Sequence, residues 1–210
     1  MEPLLEDMPE RLLTERLVLR CPRADDAAAM HAAVCESVDD LRTTMLWAQT
    51  APSLAQSEAD CRRLQAKFLL REDATMFMFE RRADDREGGF IGGTGMHRID
   101  WAVRKFEIGY WCRTSQQGRG YVTEAVLALK QHAFERLRAR RLELRMNDTN
   151  TRSWKVAERA GFELEGVLHS DSLSPQGELR DTRVYALTRS GEAGDAANAD
   201  AGSPAGRAGG

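Results

Sequence analysis

Apolar positions along the chain recur with two periods, and the switches between them divide it into strands and helices. Arg16-Leu17-Val18-Leu19-Arg20 reads as a first strand. Beyond Pro22, Asp25 or Asp26 is placed to cap a helix whose narrow apolar stripe is Ala27, Met30, Ala33 and Val34. Residues 38–52 follow no period, and Leu41, Met45, Leu46 and Trp47 stand among them without a partner in the pattern. Ser57-x-x-Asp60 has the form of a capping box, opening a second helix that carries Cys61, Leu64, Phe68 and Leu69. Strands are then expected at residues 75–80, 90–96 and 106–112, with a charged turn over 81–87.

The clearest helix begins at Val122. Val126, Leu129, Ala133 and Leu137 follow it at steps of four, three, four and four, which keeps them on one face. Arg141-Leu142-Glu143-Leu144-Arg145-Met146 alternates throughout and sends Leu142, Leu144 and Met146 into a core. Asn150 can cap a last helix over residues 151–160, with Gly161 ending it. Two strands, 162–168 and 181–187, complete the pattern, joined by a hairpin through Pro175-Gln176-Gly177. No internal repeat interrupts this order. Residues 1–10, acidic and proline-containing, read as a flexible lead-in and residues 11–189 as one domain. The Gly- and Ala-rich stretch 190–210 reads as a disordered tail with too little apolar mass to pack.

One junction in this pattern carries a chemical signal. Gln117-Gly118-Arg119-Gly120-Tyr121-Val122-Thr123-Glu124-Ala125 lies between a strand and the clearest helix. Glycines at alternate positions let main-chain N–H groups converge, and the helix start adds unpaired donors and a positive dipole end. Such a turn suits a phosphate, although a glycine pair alone also serves as a plain tight turn. Rival phosphate signatures are absent: there is no Gly-x-x-x-x-Gly-Lys-Ser/Thr, and Gly92-Gly93-Thr94-Gly95 lacks the spacing of a dinucleotide turn.

Composition narrows the partners. A formal net charge of -3 and a pI near 5.9 argue against nucleic acid, and Arg136, Arg138, Arg140 and Arg141 suit the negative end of the preceding helix. Cys21, Cys35, Cys61 and Cys112 are too widely spaced for a metal site, and no secretory signal precedes them. Free thiols in a cytoplasmic protein, with no metal, are the expectation. No apolar run approaches the roughly 20 residues of a membrane span, so no membrane partner is expected.

Gln-x-x-Gly-x-Val at 117–122 resembles the acyl-CoA pyrophosphate loop of the GNAT acetyltransferases. Its continuation, Gly-Tyr-x-Thr-Glu-Ala, is similar to the ribosomal-protein N-terminal acetyltransferase (RimJ/RimL) branch of that superfamily. Thr14-Glu15-Arg16-Leu17-Val18-Leu19-Arg20, Glu107-Ile108-Gly109-Tyr110-Trp111, and Asn150-x-x-Ser153 followed by Ala160-Gly161-Phe162-Glu163 extend the likeness over most of residues 11–189. The resemblance implies an α/β (α+β) GNAT fold: a mixed, mostly antiparallel sheet of about seven strands, splayed between strands four and five and flanked by about four helices. It implies acetyl-CoA as cofactor, CoA as product and a primary amine as acceptor. That amine is the α-amine of a protein N-terminus, or belongs to a small molecule or amino-acid-like toxin; a catalytically silent acyl-CoA-binding protein is the remaining alternative. A homodimer is common in the branch.

The same resemblance assigns residues. Main-chain groups of Tyr110, Trp111 and Cys112 would pair with the pantetheine arm, and an N–H near Tyr110 or Trp111 would face the thioester carbonyl. Gln117, Gly118, Arg119, Gly120, Tyr121 and Val122 would hold the diphosphate, with Asn147 and Asn150 near the pantetheine amides. Ser153 would contact the CoA sulfur and protonate the leaving thiolate; its plain alternative is a helix residue bonded to Asn150. Glu107 would draw a proton from the amine through water, or simply pair with Arg104 or Arg145. His97 is a second base candidate, or a surface polar residue. Residues 38–52 would cover the acceptor site, or pack as ordinary core. Three positions depart from the pattern: Val122 stands where Gly or Ala is usual, Ala157 where many members carry an acidic tyrosine, and Asp171 matches the branch's carboxylate only loosely.

Overall fold

The computed structural model describes residues 2–174 and 176–189. The tail expected at 190–210, and Pro175 of the expected hairpin, lie outside the described residues. The strands are β1 (Arg11–Leu13), β2 (Leu17–Arg20), β3 (Ala74–Arg81), β4 (Glu87–Asp100), β5 (Lys105–Cys112), β6 (Arg141–Asn147), β7 (Glu163–Leu173) and β8 (Leu179–Thr188). The helices are α1 (Ala27–Leu41), α2 (Leu54–Leu69), α3 (Tyr121–Glu135) and α4 (Thr151–Arg159). One sheet runs in the order β1-β2-β3-β4-β5-β6-β8-β7, and every pairing is antiparallel except β5 with β6.

This is the mixed sheet with four helices that the resemblance implies, with eight strands among the described residues rather than about seven. The extra strand, β1, is too short to show a period. It is held by a turn in which the Leu17 N–H donates to Thr14 Oγ1 at 2.9 Å.

Helices cover both faces of the sheet, which is why β2 is buried along its whole length rather than alternating. Leu17 and Leu19 join Phe106, Ile108 and the α3 residues Ala125, Val126, Leu129 and Ala133. Val18 points the other way, to Phe77, Phe79 and Phe90 and to Met30, Ala33, Val34 and Cys61 of α1 and α2. Among these apolar groups sits the buried Arg20 guanidinium, bonded to Asp26 at 2.8 Å and to Glu87 at 2.6 Å.

Two local expectations, the α2 cap and the lead-in, are corrected. Ser53, not Ser57, caps α2, accepting from the Gln56 N–H at 3.1 Å; Ser57 is fully buried one turn inside the helix. The glycines at 92, 93 and 95 belong to the interior of β4, where neighbours leave no room for a side chain. A Cβ on Gly93 would lie 2.5 Å from Trp111 Nε1, and one on Gly95 2.7 Å from Thr75 Cα. The flexible lead-in at 1–10 is tied to the body over its described part. Met8 is buried in the core and Glu6 pairs with Arg104 at 2.9 Å, since an apolar side chain and a carboxylate each find a partner there.

The feature that positions the site is the meeting of β5 and β6. They pair only through Lys105 with Arg141, Phe106 with Leu142 and Glu107 with Glu143, and from Ile108 onward they separate. The split expected between strands four and five is therefore present, between the strands numbered five and six once β1 is counted.

Candidate active site

Strand phase decides which groups face the split. The Arg113 N–H donates to Ile91 O at 2.9 Å, and the β4–β5 register stays constant through Trp111 with Gly93, Gly109 with Gly95 and Glu107 with His97. Hydrogen-bonded pairs alternate in an antiparallel ladder, so Glu107, Gly109 and Trp111 spend their main-chain groups on β4. Those of Ile108, Tyr110 and Cys112 turn to the open side. Cys112 O agrees, being free of β4 to accept from Gln117 Nε2 of the following loop at 3.4 Å. Of the two N–H donors expected, that of Tyr110 turns to the open side and that of Trp111 turns to β4. Trp111 contributes its indole instead, edge-on to Trp47 with ring centroids 5.9 Å apart.

Two cavities meet at this split. One, of ≈ 950 Å³, is lined by Tyr110, Trp111, Cys112, Gln117, Gly118, Gly120, Tyr121, Val122, Asn150 and Ser153. Gly118 and Gly120 sit at φ of 75° and 81°, and Gly120 is the residue before α3. The first helical bond there runs from the Glu124 N–H to Gly120 O, leaving the preceding N–H groups outside the helix's own ladder. Val122 is half-buried, packed against the core while edging the cavity. Arg119 does not line the cavity; its carbonyl accepts from Arg16 Nη1 at 3.0 Å. Cations that the sequence reading did not single out, Arg152, Lys155 and Arg159 of α4, line the same cavity.

The turn is braced from behind. Glu124 accepts from Thr14 Oγ1 at 2.5 Å and the Arg16 N–H at 2.8 Å, and pairs with the Arg16 guanidinium at 2.6 Å. Two phrases noted separately in the sequence, Thr14-Glu15-Arg16 and Thr123-Glu124-Ala125, thus form one clasp. From the other side Glu36 of α1 receives Arg113 and the Ser115 N–H, which holds its carboxyl down at about 2.

Ser153 lies where the two cavities join. Its N–H, not its hydroxyl, bonds Asn150 Oδ1, at 3.2 Å. The hydroxyl is 2.9 Å from the Tyr110 hydroxyl, which also reaches Ser153 O at 3.0 Å. Burial pushes the Tyr110 phenol up to about 12, so it stays protonated at neutral pH. Ala157 is fully buried in the core and lines neither cavity. Asn147 edges the second cavity while its Oδ1 closes a turn onto the Thr149 N–H at 2.8 Å. Burial also raises the Cys112 thiol, to about 11.

The second cavity, of ≈ 970 Å³, opens on the far side of Tyr110 and Trp111. His97, Glu107, Gly109, Asn147, Arg145 and Asp171 line it. Glu107 pairs with Arg98 at 3.0 Å, rather than with Arg104 or Arg145; Arg104 goes to Glu6, and Arg145 to Asp171 at 3.1 Å. Leu46 and Trp47, 68% and 53% exposed, stand at its wall, so residues 38–52 serve the cavity rather than the core at that point. Asp73, which no sequence signal marked, reaches His97 Nδ1 at 2.7 Å.

Main-chain amides left free at a helix start on one side of a split sheet, with a second chamber across a strand edge, fit an acyltransferase that works from an acyl-CoA carrier. Residues 16–163 match the Acetyltransferase (GNAT) domain, and the chain belongs to that family. It is therefore an acetyl-CoA-dependent N-acetyltransferase. The ribosomal-protein-serine acetyltransferase of Escherichia coli (strain K12) is 31% identical over 159 residues, covering 74% of this chain and 84% of that protein. An uncharacterized N-acetyltransferase, p20, from Bacillus licheniformis is 29% identical over 185 residues, 88% of this chain and 99% of the relative. Among solved structures, the Microcin C7 self-immunity acetyltransferase MccE with acetyl-CoA and AMP superimposes with a TM-score of 0.77 at 22% identity, covering 84% and 94% of the two chains. RimL, the ribosomal L7/L12 α-N-protein acetyltransferase in complex with coenzyme A, gives 0.74 at 22% identity over 86% and 97%.

The described residues contain no helix long and apolar enough to cross a membrane and no cluster of three or more potential metal ligands. Arg141, in the basic stretch, is occupied by Glu143 and Glu165.

Proposed function

We propose that the acceptor is the α-amine of a protein N-terminus. The observation that carries this reading is the second cavity: ≈ 970 Å³, open at the Leu46 and Trp47 rim and leading inward to the exposed edge of β5, it suits an extended chain end entering nitrogen first. The likeness to a protein named as a ribosomal-protein-serine acetyltransferase supports it. Main-chain donors on that edge suit a thioester laid beside β5, and the Tyr110 N–H would stabilise its developing oxyanion. Ser153, backed by Tyr110, hands a proton to the departing thiolate. Holding two reactants in register supplies up to about 7 to 11 kcal/mol of the barrier, so modest proton machinery suffices. Four free cysteines fit a reducing, cytoplasmic setting.

A second reading, a small amine with a flat apolar part, is favoured by the exposed Trp47 ring packed on Trp111 at the cavity rim. CoA release measured on Ser- and Ala-starting peptides against a panel of free amines separates the two. The peptide reading predicts kcat/KM at least tenfold higher on peptides. Higher values on the free amines overturn it, and tight acetyl-CoA binding without release on any acceptor overturns turnover altogether.

A further inference from the structure

Asp73 sits at the entry to β3 with both carboxylate oxygens engaged. Oδ1 accepts from the Thr75 N–H at 3.1 Å and Thr75 Oγ1 at 2.7 Å, and Oδ2 meets His97 Nδ1 at 2.7 Å. A carboxylate fixed at Nδ1 keeps the imidazole proton there and leaves the lone pair on Nε2. That Nε2 edge lies flat over β5: a Cβ on Gly109 would come 2.8 Å from His97 Cδ2 and 3.0 Å from Nε2. Glycine at 109 is what admits the ring. Among the described residues Nε2 has no hydrogen-bond partner, and the ring forms part of the second cavity's wall, one residue along β5 from the Tyr110 N–H. An oriented histidine with a free nitrogen, beside the place where attack occurs, is a built proton acceptor.

We propose that His97 is the general base that takes the proton from the incoming ammonium, and that Asp73 is its positioning residue. The inference rests on the amine-acetylation reading above and adds to it the residue that makes the nucleophile. One proton passes from the ammonium to Nε2 and on to solvent, freeing the nitrogen lone pair to form the N–C bond. As the adduct collapses and the C–S bond breaks, the nitrogen loses a second proton to water. The thiolate gains one from Ser153, which is refilled from solvent, and the third proton stays on the amide. Glu107 is left as a carboxylate that attracts the ammonium without having to remove its proton.

The charges around the ring support this poise. On β5 and β4, Glu107 and Arg98 pair with each other; on β7 and β6, Asp171 and Arg145 do the same. On α2, Asp60 pairs with Arg63, leaving Lys67 at the cavity edge, while Arg180 of β8 donates to Thr43 O at 2.8 Å. Asp73 is the carboxylate directly against the ring. Its own burial acts to raise its pKa, but the His97 and Thr75 bonds outweigh that and hold the group below its usual range.

The test is CoA release on a Ser-starting peptide from pH 6 to pH 9.5 with the full chain, His97→Gln and Asp73→Asn, alongside acetyl-CoA affinity. His97→Gln is expected to lower kcat/KM at least tenfold at pH 7 and to come within about threefold of the parent at pH 9, where solvent has already deprotonated an α-amine of pKa about 8. Acetyl-CoA affinity, unchanged within twofold, shows the variant folded. Asp73→Asn is expected to lower kcat/KM at pH 7 at least fivefold with acetyl-CoA affinity unchanged within twofold, because the ring loses the acceptor that fixes its Nδ1 proton, and to come within about threefold of the parent at pH 9, as the histidine variant does. A purely structural role would give a loss constant across pH. His97→Gln within twofold of the parent at pH 7, or a loss constant across pH, overturns the assignment while amine acetylation stands. A parent inactive on every amine overturns both.

Discussion

The Tyr110 hydroxyl stands 2.9 Å from Ser153 Oγ, so the strand residue whose main-chain N–H is proposed to meet the thioester also touches the helix residue proposed to protonate the thiolate. With Ala157 fully buried, this pair is the hydroxyl source the proposed reaction would draw on. Ser153→Ala is expected to lower kcat about tenfold to a hundredfold with acetyl-CoA affinity unchanged within twofold, and Tyr110→Phe to lower it less, since its N–H remains. The double variant should lose no more than the serine variant alone, because one relay is broken once. Pre-steady-state CoA release with a chromogenic thiol reagent reads each value; independent, additive losses would dismantle the relay.

Gly120→Glu should raise the acetyl-CoA dissociation constant at least a hundredfold. The backbone there is left-handed at φ 81°, which a side chain resists, and the added carboxylate would sit beside Arg16, whose Nη2 lies 3.5 Å from the position of a Cβ. It would compete with Glu124 for that guanidinium and repel the diphosphate. Titration calorimetry on a variant with unchanged circular dichroism measures it, and parent-like affinity would remove the anion turn from the account.

Asp26→Ala strips a buried guanidinium of its closest counter-ion, leaving Arg20 to Glu87 alone. Breaking a buried pair by deleting one partner costs about 3 to 5 kcal/mol. Urea denaturation should show a fall of that size in unfolding free energy with little change in slope.

Ser57→Ala should do the opposite. The Ser57 hydroxyl is fully buried with no hydrogen-bond partner among the described residues, and alanine is the better helix former. A gain of about 1 kcal/mol in the same denaturation assay is expected; a loss would reveal a partner for that oxygen.

Glu36 gives the loop brace its acid sensitivity. Its carboxyl lies near 2 in the folded chain against an ordinary 4.5, chiefly through Arg113 and the Ser115 N–H. A lowered folded value means the stabilisation is complete above the unfolded value and is lost as pH falls from about 4.5 through about 2. Glu36→Gln should flatten the stability profile in that window while leaving the profile above pH 6 parallel to the parent's. Thermal melts between pH 2 and pH 7 read the difference.

Much of this architecture was legible because periodicity survives wherever one element runs long enough. The α3 stripe from Val122 to Ala133 and the alternation along β6 both appear where the pattern puts them, and the glycine turn follows its strand directly. What escaped depends on register. β1 has three residues and no period to display. Asp73 and His97 are 24 residues apart and meet only because Ala74 pairs with Met96, a neighbourhood that exists once β3 and β4 are aligned. Choosing Tyr110 over Trp111 as the edge donor likewise needed the phase of a ladder, which side-chain spacing does not carry. The contact of the Tyr110 hydroxyl carries no sequence signal because its partner lies on α4, beyond a helix and a strand.

The parting of β5 and β6 after Glu107 leaves the two portions of the sheet joined by a short parallel seam. A carrier laid into that gap acts as a stitch, and amide hydrogens at Ile108, Tyr110 and Cys112 should exchange with deuterium at rates governed by how much of it is present. The bound carrier would thus substitute for the ladder that β5 and β6 do not form, and the free chain should open along that seam first.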